Sequence, residues 1–201
     1  EAGLTKLLRL LPPPWGAAER RYLAFVGNDY HRKGLDLVLE VLTAFARGGR
    51  KGLPETSLIV AGGDSRAPLY ERNAARLGLA SRVRFLGKRS DIPELIAGSD
   101  VLLLPSYFDA YANVSSEALA SGTPVIASAT SGAAELIRPV HGWVLERNDA
   151  EHLARSLGEF LAVKDLEPMR EAARKAALEL SWDRHYREIE AIYEEVAGGA
   201  K

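Results

Sequence analysis

No cysteine occurs among the 201 residues. That excludes a disulfide scaffold, thiolate zinc sites and thiol catalysis, and it is compatible with a reducing, cytoplasmic setting. No apolar run approaches the ~18–20 residues of a membrane span, so no transmembrane segment is expected. The opening stretch EAGLTKLLRLLPPPWG starts acidic and lacks a small-residue cleavage site, so it does not read as a signal peptide. Neither sign of charge dominates: 26 Lys and Arg stand against 27 Asp and Glu, a net charge of −1. With no overall basic field, nucleic acid is not an expected partner, and an anionic ligand must be held by a local cluster. Several signatures are also missing: GxGxxG after the first strand, GxxxxGK[ST], GxSxG, HExxH and Asp-x-Asp. Their absence removes the dinucleotide fingerprint, the P-loop, the nucleophile elbow and two familiar metal-holding patterns.

What is present is ordinary globular material, 47% hydrophobic and 26% charged. Short β-branched runs alternate with helical patterns. Strands are expected at 22–26 (YLAFV), 57–61 (SLIVA), 83–86 (VRFL), 101–104 (VLLL) and 124–127 (PVIA), with a weaker one at 142–145. Helices are expected near 35–47, 67–78, 91–98, 114–121 and 132–137. Continuous apolar strands separated by helices predict a parallel sheet covered on both faces, a doubly wound, Rossmann-like α/β fold. From Ala150 onward the pattern is helical, near 150–163, 167–180 and 182–197. In the last of these Trp182, Tyr186, Ile189, Tyr193 and Val196 recur at helical spacing. Residues 1–16 read as a leader or interdomain segment, in which Leu4, Leu7, Leu8 and Leu11 share one helical face, and residues 17–201 as the domain proper.

In an open parallel sheet, ligands bind beyond the carboxyl ends of the strands. The first strand leads into Gly27, Asn28, His31, Arg32 and Lys33, and the second into Gly62 and Asp64. The third leads into Gly87, Lys88 and Arg89, and the fourth into residues 105–113, PSYFDAYAN. Glycines, cations and carboxylates therefore converge on one edge, which suits a phosphorylated, hydroxyl-rich ligand. Arg32 and Lys33 precede a helix start, where side-chain charge and free N–H groups face one anion; the alternative is a solvated turn. Glu117 lies one turn inside a helix for which Asn113 is the expected N-cap. There it either accepts hydrogen bonds from vicinal hydroxyls or complements the helix dipole. His31, His141, His152 and His185 have no ligand spacing and read as structural or surface residues. Tyr107, Phe108 and Tyr111, beside a strand, read as core or as a pocket wall.

At this point the residues resemble a known family. Residues 105–128, PSYFDAYANVSSEALASGTPVIAS, are similar to the nucleotide-sugar signature of family 4 retaining glycosyltransferases of the GT-B fold, PS-x-x-EGFG-x-x-x-x-EA-x-A-x-GTPV. FVGNDYHRKGLDLVLEVL at 25–42 resembles their FVGR-x-x-x-x-KG segment, and residues 77–106 are similar throughout. Trp182 sits where such enzymes often carry Ser-Trp before the final helix. The likeness runs over about residues 21–197. Three departures stand out. Asn28 occupies the usual phosphate-binding arginine position, with Arg32 as its replacement. Asp109 replaces the first Glu and is one methylene shorter. Ala110-Tyr111-Ala112-Asn113 replaces Gly-Phe-Gly. These variants look closest to lipopolysaccharide-core glucosyltransferases.

The resemblance implies a donor-binding domain that moves a hexose from a nucleoside diphosphate, UDP-glucose-like, to a glycan or lipid-linked acceptor. Arg32, Lys33, Ala112, Asn113 and Val114 are then expected at the diphosphate. Asp109, Ala110 and Tyr111 are expected at the donor sugar, and Gly87, Lys88, Arg89 and Glu117 at the nucleoside. Asp109 and Glu117 would be the donor-positioning pair, and Gly27, Asn28, Gly62 and Asp64 the remaining loop candidates. No metal ion or other cofactor is expected. The acceptor site and a catalytic-region histidine belong to an N-terminal domain that this sequence does not contain. The resemblance further implies a cytoplasmic protein, peripheral to the inner membrane. The competing readings are a non-catalytic nucleotide-sugar-binding module, a UDP-sugar 2-epimerase and an interaction-only domain.

Overall fold

The computed structural model describes residues 20–48 and 55–198. The leader expected over 1–16, with its leucine face, lies outside the described residues. Six strands, β1 (Arg20–Val26), β2 (Glu55–Ala61), β3 (Val83–Gly87), β4 (Val101–Leu104), β5 (Val125–Ser128) and β6 (Gly142–Leu145), form one sheet in the order β3-β2-β1-β4-β5-β6. Every pairing is parallel. Among the described residues the helices are α1 (Leu35–Gly48), α2 (Ala67–Arg76), α3 (Ile92–Ala97), α4 (Asn113–Ala120), α5 (Ala150–Ala162), α6 (Glu167–Leu178) and α7 (Trp182–Gly198). The segment Gly132–Leu136, expected as a helix, is a single 3-10 stretch.

Strand side chains alternate between faces, and each face has its own core. Leu23 and Phe25 of β1, Leu58 and Val60 of β2, and Val101 and Leu103 of β4 pack with α1 and α5. Tyr22, Ala24, Ile59, Ala61, Leu102 and Leu104 pack on the other face with α3, α4 and Ala173 of α6. Because both faces are covered, the strands read in sequence as continuous apolar runs rather than alternating ones. Helix α7 departs from this scheme: none of its residues is buried. The stripe read in sequence is therefore an exposed aromatic surface, with Trp182 70% and Tyr193 71% accessible.

The strand order reverses between β1 and β4, where the connection from β1 runs toward β2 and that from β4 toward β5. Such a switch point opens a crevice at the carboxyl edge of the sheet. Gly34 sets its depth. Its φ is +81°, and a Cβ there would sit 2.0 Å from the Pro105 carbonyl oxygen. Only glycine lets the start of α1 lie against the end of β4.

The Lys-Gly pair at 33–34 is thus half chemistry and half packing. Gly34→Ala is expected to cost at least about 2 kcal/mol in urea unfolding, from the left-handed backbone and the displaced Pro105 carbonyl. Gly48→Ala, at an open helix end with nothing within 4 Å, should change stability by no more than about 1 kcal/mol, upward. Equal losses at the two sites would show that the approach to Pro105 does not constrain the fold.

Candidate functional site

The loop after β1 is pinned before it reaches its cations. Tyr30 is fully buried and donates its hydroxyl to the Gly62 carbonyl at 3.0 Å, while its amide donates to Asp64 at 2.7 Å. Asn28 accepts the Gly63 amide at 2.7 Å. Asp29 holds the turn at φ +56°, a left-handed conformation that Asp tolerates better than most residues. Its carbonyl accepts the Lys33 amide at 3.1 Å. These bonds tie the loop after β1 to the loop after β2 and bring Arg32 and Lys33 to the switch point.

The loop after β4 arrives from the other side. Asp109 bridges to Ser131, with its amide donating to the Thr130 carbonyl and its carbonyl accepting from Gly132. This contact places the Asp109 carboxylate against Lys33 Nζ, with Arg32 Nη1 at 3.2 Å. Lys33 and Asp109 are both buried, and the same Arg32 nitrogen donates to the Phe108 carbonyl at 3.0 Å. Burial pushes the Asp109 carboxyl upward, but the hydrogen bonds and charges of Lys33 and then Arg32 outweigh it and hold the group below the usual carboxylate range.

Between the two loops lies a cavity of about 540 Å³, within the ~300–1,000 Å³ of small-molecule sites. Its walls include Gly27, Asn28, Arg32 and Lys33 on one side and Tyr111, Ala112, Asn113, Val114 and Glu117 on the other. Arg32, Lys33, Glu117 and the start of α4 are therefore gathered round one space. The N-cap of α4 is Ala112, not Asn113, and no side chain caps it. Asn113 is the first helical residue rather than the cap. That leaves the positive end of α4 directed at the cavity.

Other expected residues fall elsewhere. Asp109 does not line the cavity; its short side chain is directed to the two cations. Asp64 accepts the Tyr30 and Arg66 amides and the Arg66 side chain. Burial pushes its carboxyl up, yet those bonds hold it below the usual range. It is a loop staple. Gly62 serves close packing, since a Cβ there would lie 2.0 Å from the Gly27 carbonyl oxygen. Gly87, Lys88 and Arg89 are not among the walls. Arg89 forms a bidentate pair with Asp91 at 2.8 Å, and the stem of Lys88 lies over Gly63. Tyr107, Phe108 and Tyr111 are not core: they are 45%, 67% and 45% exposed, because the loop after β4 runs over the edge of the sheet rather than through it. Sequence reasoning missed Ile92 and Pro93, which form an apolar wall at the start of α3. Their signal was a proline in the first turn of a helix that follows a strand's carboxyl end. A second cavity, of about 590 Å³, adjoins the first through Tyr111, Asn113 and Glu117 and is closed by Trp182 and His185 of α7.

Residues 13–179 match the family model for glycosyl transferases group 1. The chain is 33% identical over 187 residues to a D-inositol 3-phosphate glycosyltransferase of Salinispora tropica, covering 88% of this chain and 39% of that protein. It is 30% identical over 179 residues to the lipopolysaccharide glucosyltransferase WaaG of Escherichia coli, covering 87% of this chain and 44% of that one. The chain thus spans about two fifths of the length of these relatives. A crystal structure of WaaG superimposes with a TM-score of 0.67 at 33% identity, over 88% of this chain and 45% of that one. The Anabaena protein Alr3699/HepE, solved in complex with UDP and glucose, shares the fold with a TM-score of 0.74 at 24% identity, over 98% of this chain and 52% of that one. No described helix is long and apolar enough to cross a membrane.

The ion-paired carboxylate makes a pH-dependent contribution to stability. Asp109→Asn is expected to cost about 1.5–3 kcal/mol at pH 7, the worth of hydrogen bonds to charged groups. Because the folded-state pKa lies below the unfolded value of ~3.9, the wild-type advantage is complete above that value. It is lost as pH falls through the folded pKa. Urea unfolding of both proteins at pH 7 and near pH 2.5 measures this. A difference that persists in acid would show that charge is not its source.

Proposed function

The chain belongs to the group 1 family of glycosyl transferases, and from that premise we propose that it is the nucleotide-sugar donor-binding domain of a retaining enzyme. The observation that carries this reading is one cavity at the switch point, walled by Arg32, Lys33, the uncapped start of α4 and Glu117. In this reading the diphosphate lies between the two cations and the amides at Ala112, Asn113 and Val114. Glu117 accepts the ribose hydroxyls, and the base extends along Ile92 and Pro93 toward the loop of Gly87, Lys88 and Arg89. Ala110 and Tyr111 flank the transferred hexose. The donor is UDP-glucose-like and the acceptor a glycan or lipid-linked hydroxyl. The likeness to the lipopolysaccharide glucosyltransferase and the shared fold of a UDP-binding protein support that choice. In this reading the reaction takes place in the cytoplasm, with the full-length protein peripheral to the inner membrane.

In the reaction, the bond between the anomeric carbon and the diphosphate oxygen breaks and its electron pair leaves with the diphosphate. A new bond forms from the anomeric carbon to the acceptor oxygen, and the acceptor's proton departs. Negative charge grows on the leaving group. Arg32, Lys33 and the α4 amides are positioned to stabilise that charge, which is the preorganised electrostatic contribution enzymes exploit most. With those groups in place the reading requires no metal ion. This chain spans about two fifths of the relatives' length, and in this reading its residues account for the donor side of the transfer.

Calorimetric titration tests the assignment. UDP is expected to bind, and to bind more tightly than GDP or ADP. Lys33→Ala should weaken UDP by roughly 1.5–3 kcal/mol, the worth of a charge-assisted hydrogen bond, while sparing uridine. Equal losses for the two ligands would mean that Lys33 supports the fold rather than the phosphates.

Glu117 has its own double cycle. Glu117→Gln should weaken UDP by roughly 1–3 kcal/mol, because an amide donor then faces a hydroxyl. A 2′,3′-dideoxy nucleotide should lose affinity for the wild type and much less for the variant, since both changes remove one interaction. Additive losses would sink the ribose assignment.

A further inference from the structure

The carboxylate that holds the two cations stands behind them as seen from the cavity. Arg32 and Lys33 are cavity walls and Asp109 is not. Yet Asp109 pairs with both, and Asp29, which pairs with Arg66 at 3.0 Å, also lies 3.4 Å from Arg32 Nε. Two carboxylates therefore face the same positive charge that, in the reading above, receives the diphosphate. An anion entering the cavity meets cations already partly neutralised from inside the protein.

From this geometry we infer that Asp109, aided by Asp29, is an internal counter-anion that sets the affinity for the diphosphate, rather than a contact for the donor sugar. The inference rests on the proposed donor site. Its consequence is a compromise. The two carboxylates keep Arg32 and Lys33 in place, and they hold diphosphate affinity below what bare cations would give. After transfer, the released diphosphate carries more charge than the donor's did. Asp109 and Asp29 then favour its departure, because the cations keep partners when it leaves. A glutamate at position 109 would keep that charge, whereas an asparagine would keep the shape and remove it.

The test compares UDP, UDP-glucose and uridine binding to the wild type, Asp109→Asn, Asp109→Glu and Asp29→Asn. Without ligand, Asp109→Asn should melt at a lower temperature than the wild type, since a buried ammonium has lost its partner. It should bind UDP about tenfold more tightly, between the effects of removing a like charge roughly 6 Å away in water and at an effective dielectric near 20. Saturating UDP should close most of the melting gap, because the phosphates supply the missing anion. UDP-glucose should also gain, by a smaller factor than UDP because its diphosphate carries less charge, uridine should not change, and Asp109→Glu should stay near the wild-type UDP affinity. Asp29→Asn is the second variant, for the case that Asp109→Asn does not fold. It sits in an exposed left-handed turn that asparagine tolerates, and should tighten UDP about two- to threefold. If UDP binds both charge-removed variants no more tightly than the wild type, the inference is overturned. A change confined to UDP-glucose would overturn it too, and return Asp109 to the sugar. Failure of the wild type to bind UDP at all would instead strike the donor-site reading itself.

Discussion

Lys33 and Asp109 come from loops that leave two different strands, β1 and β4, and their ion pair spans the point where the strand order reverses. Without a cation on one side and a carboxylate on the other, the two loops would bring like or unpaired charges together in a buried position, which is costly. The pair closes the back of the crevice, and Arg32 joins it from the rim. Everything in front of it follows from this closure. The cations face forward, the α4 amides face them, and Glu117 stands one turn further along the same helix.

The backbone carries a matching set of constraints. Gly34 lets α1 approach Pro105, and Gly62 lets the end of β2 approach Gly27. Asp29 accepts a left-handed turn so that Lys33 can donate back to it. Tyr30 fixes the same loop from below, with its ring edge-on to Phe25 and Tyr70 and its hydroxyl on Gly62. The cavity-facing cations thus stand on a rigid base rather than on a free loop, the condition for electrostatic preorganisation. Stability and site geometry are set by the same few contacts here.

Helix α7 shows the opposite state. Trp182 stacks with Tyr186 at 5.9 Å, and Ile192, Tyr193 and Val196 continue the exposed stripe. The family model ends at residue 179, just before this helix. The adjoining second cavity, closed by Trp182, shares Glu117 with the first. Any surface that covers this side would therefore sit within reach of the first cavity at Glu117.

The sheet and nearly every helix were legible in the sequence, because strands buried on both faces must be apolar throughout and helices must show a periodic stripe. Arg32, Lys33 and Glu117 were also legible, since the carboxyl ends of parallel strands are the place to look. The direction of a side chain was not. Sequence spacing sets Asp109 and Glu117 eight positions apart, with nothing to say that one turns back to two cations while the other faces the cavity. Nor does spacing reveal that Asp64 staples a loop, that Arg89 is claimed by Asp91, or that Ala112 rather than Asn113 is the N-cap of α4. Local pattern determined which elements form, because it depends on burial along one chain segment. Partner choice among charges depends on distances between segments far apart in sequence, and those exist only once the sheet has brought the loops of β1, β2 and β4 to one edge.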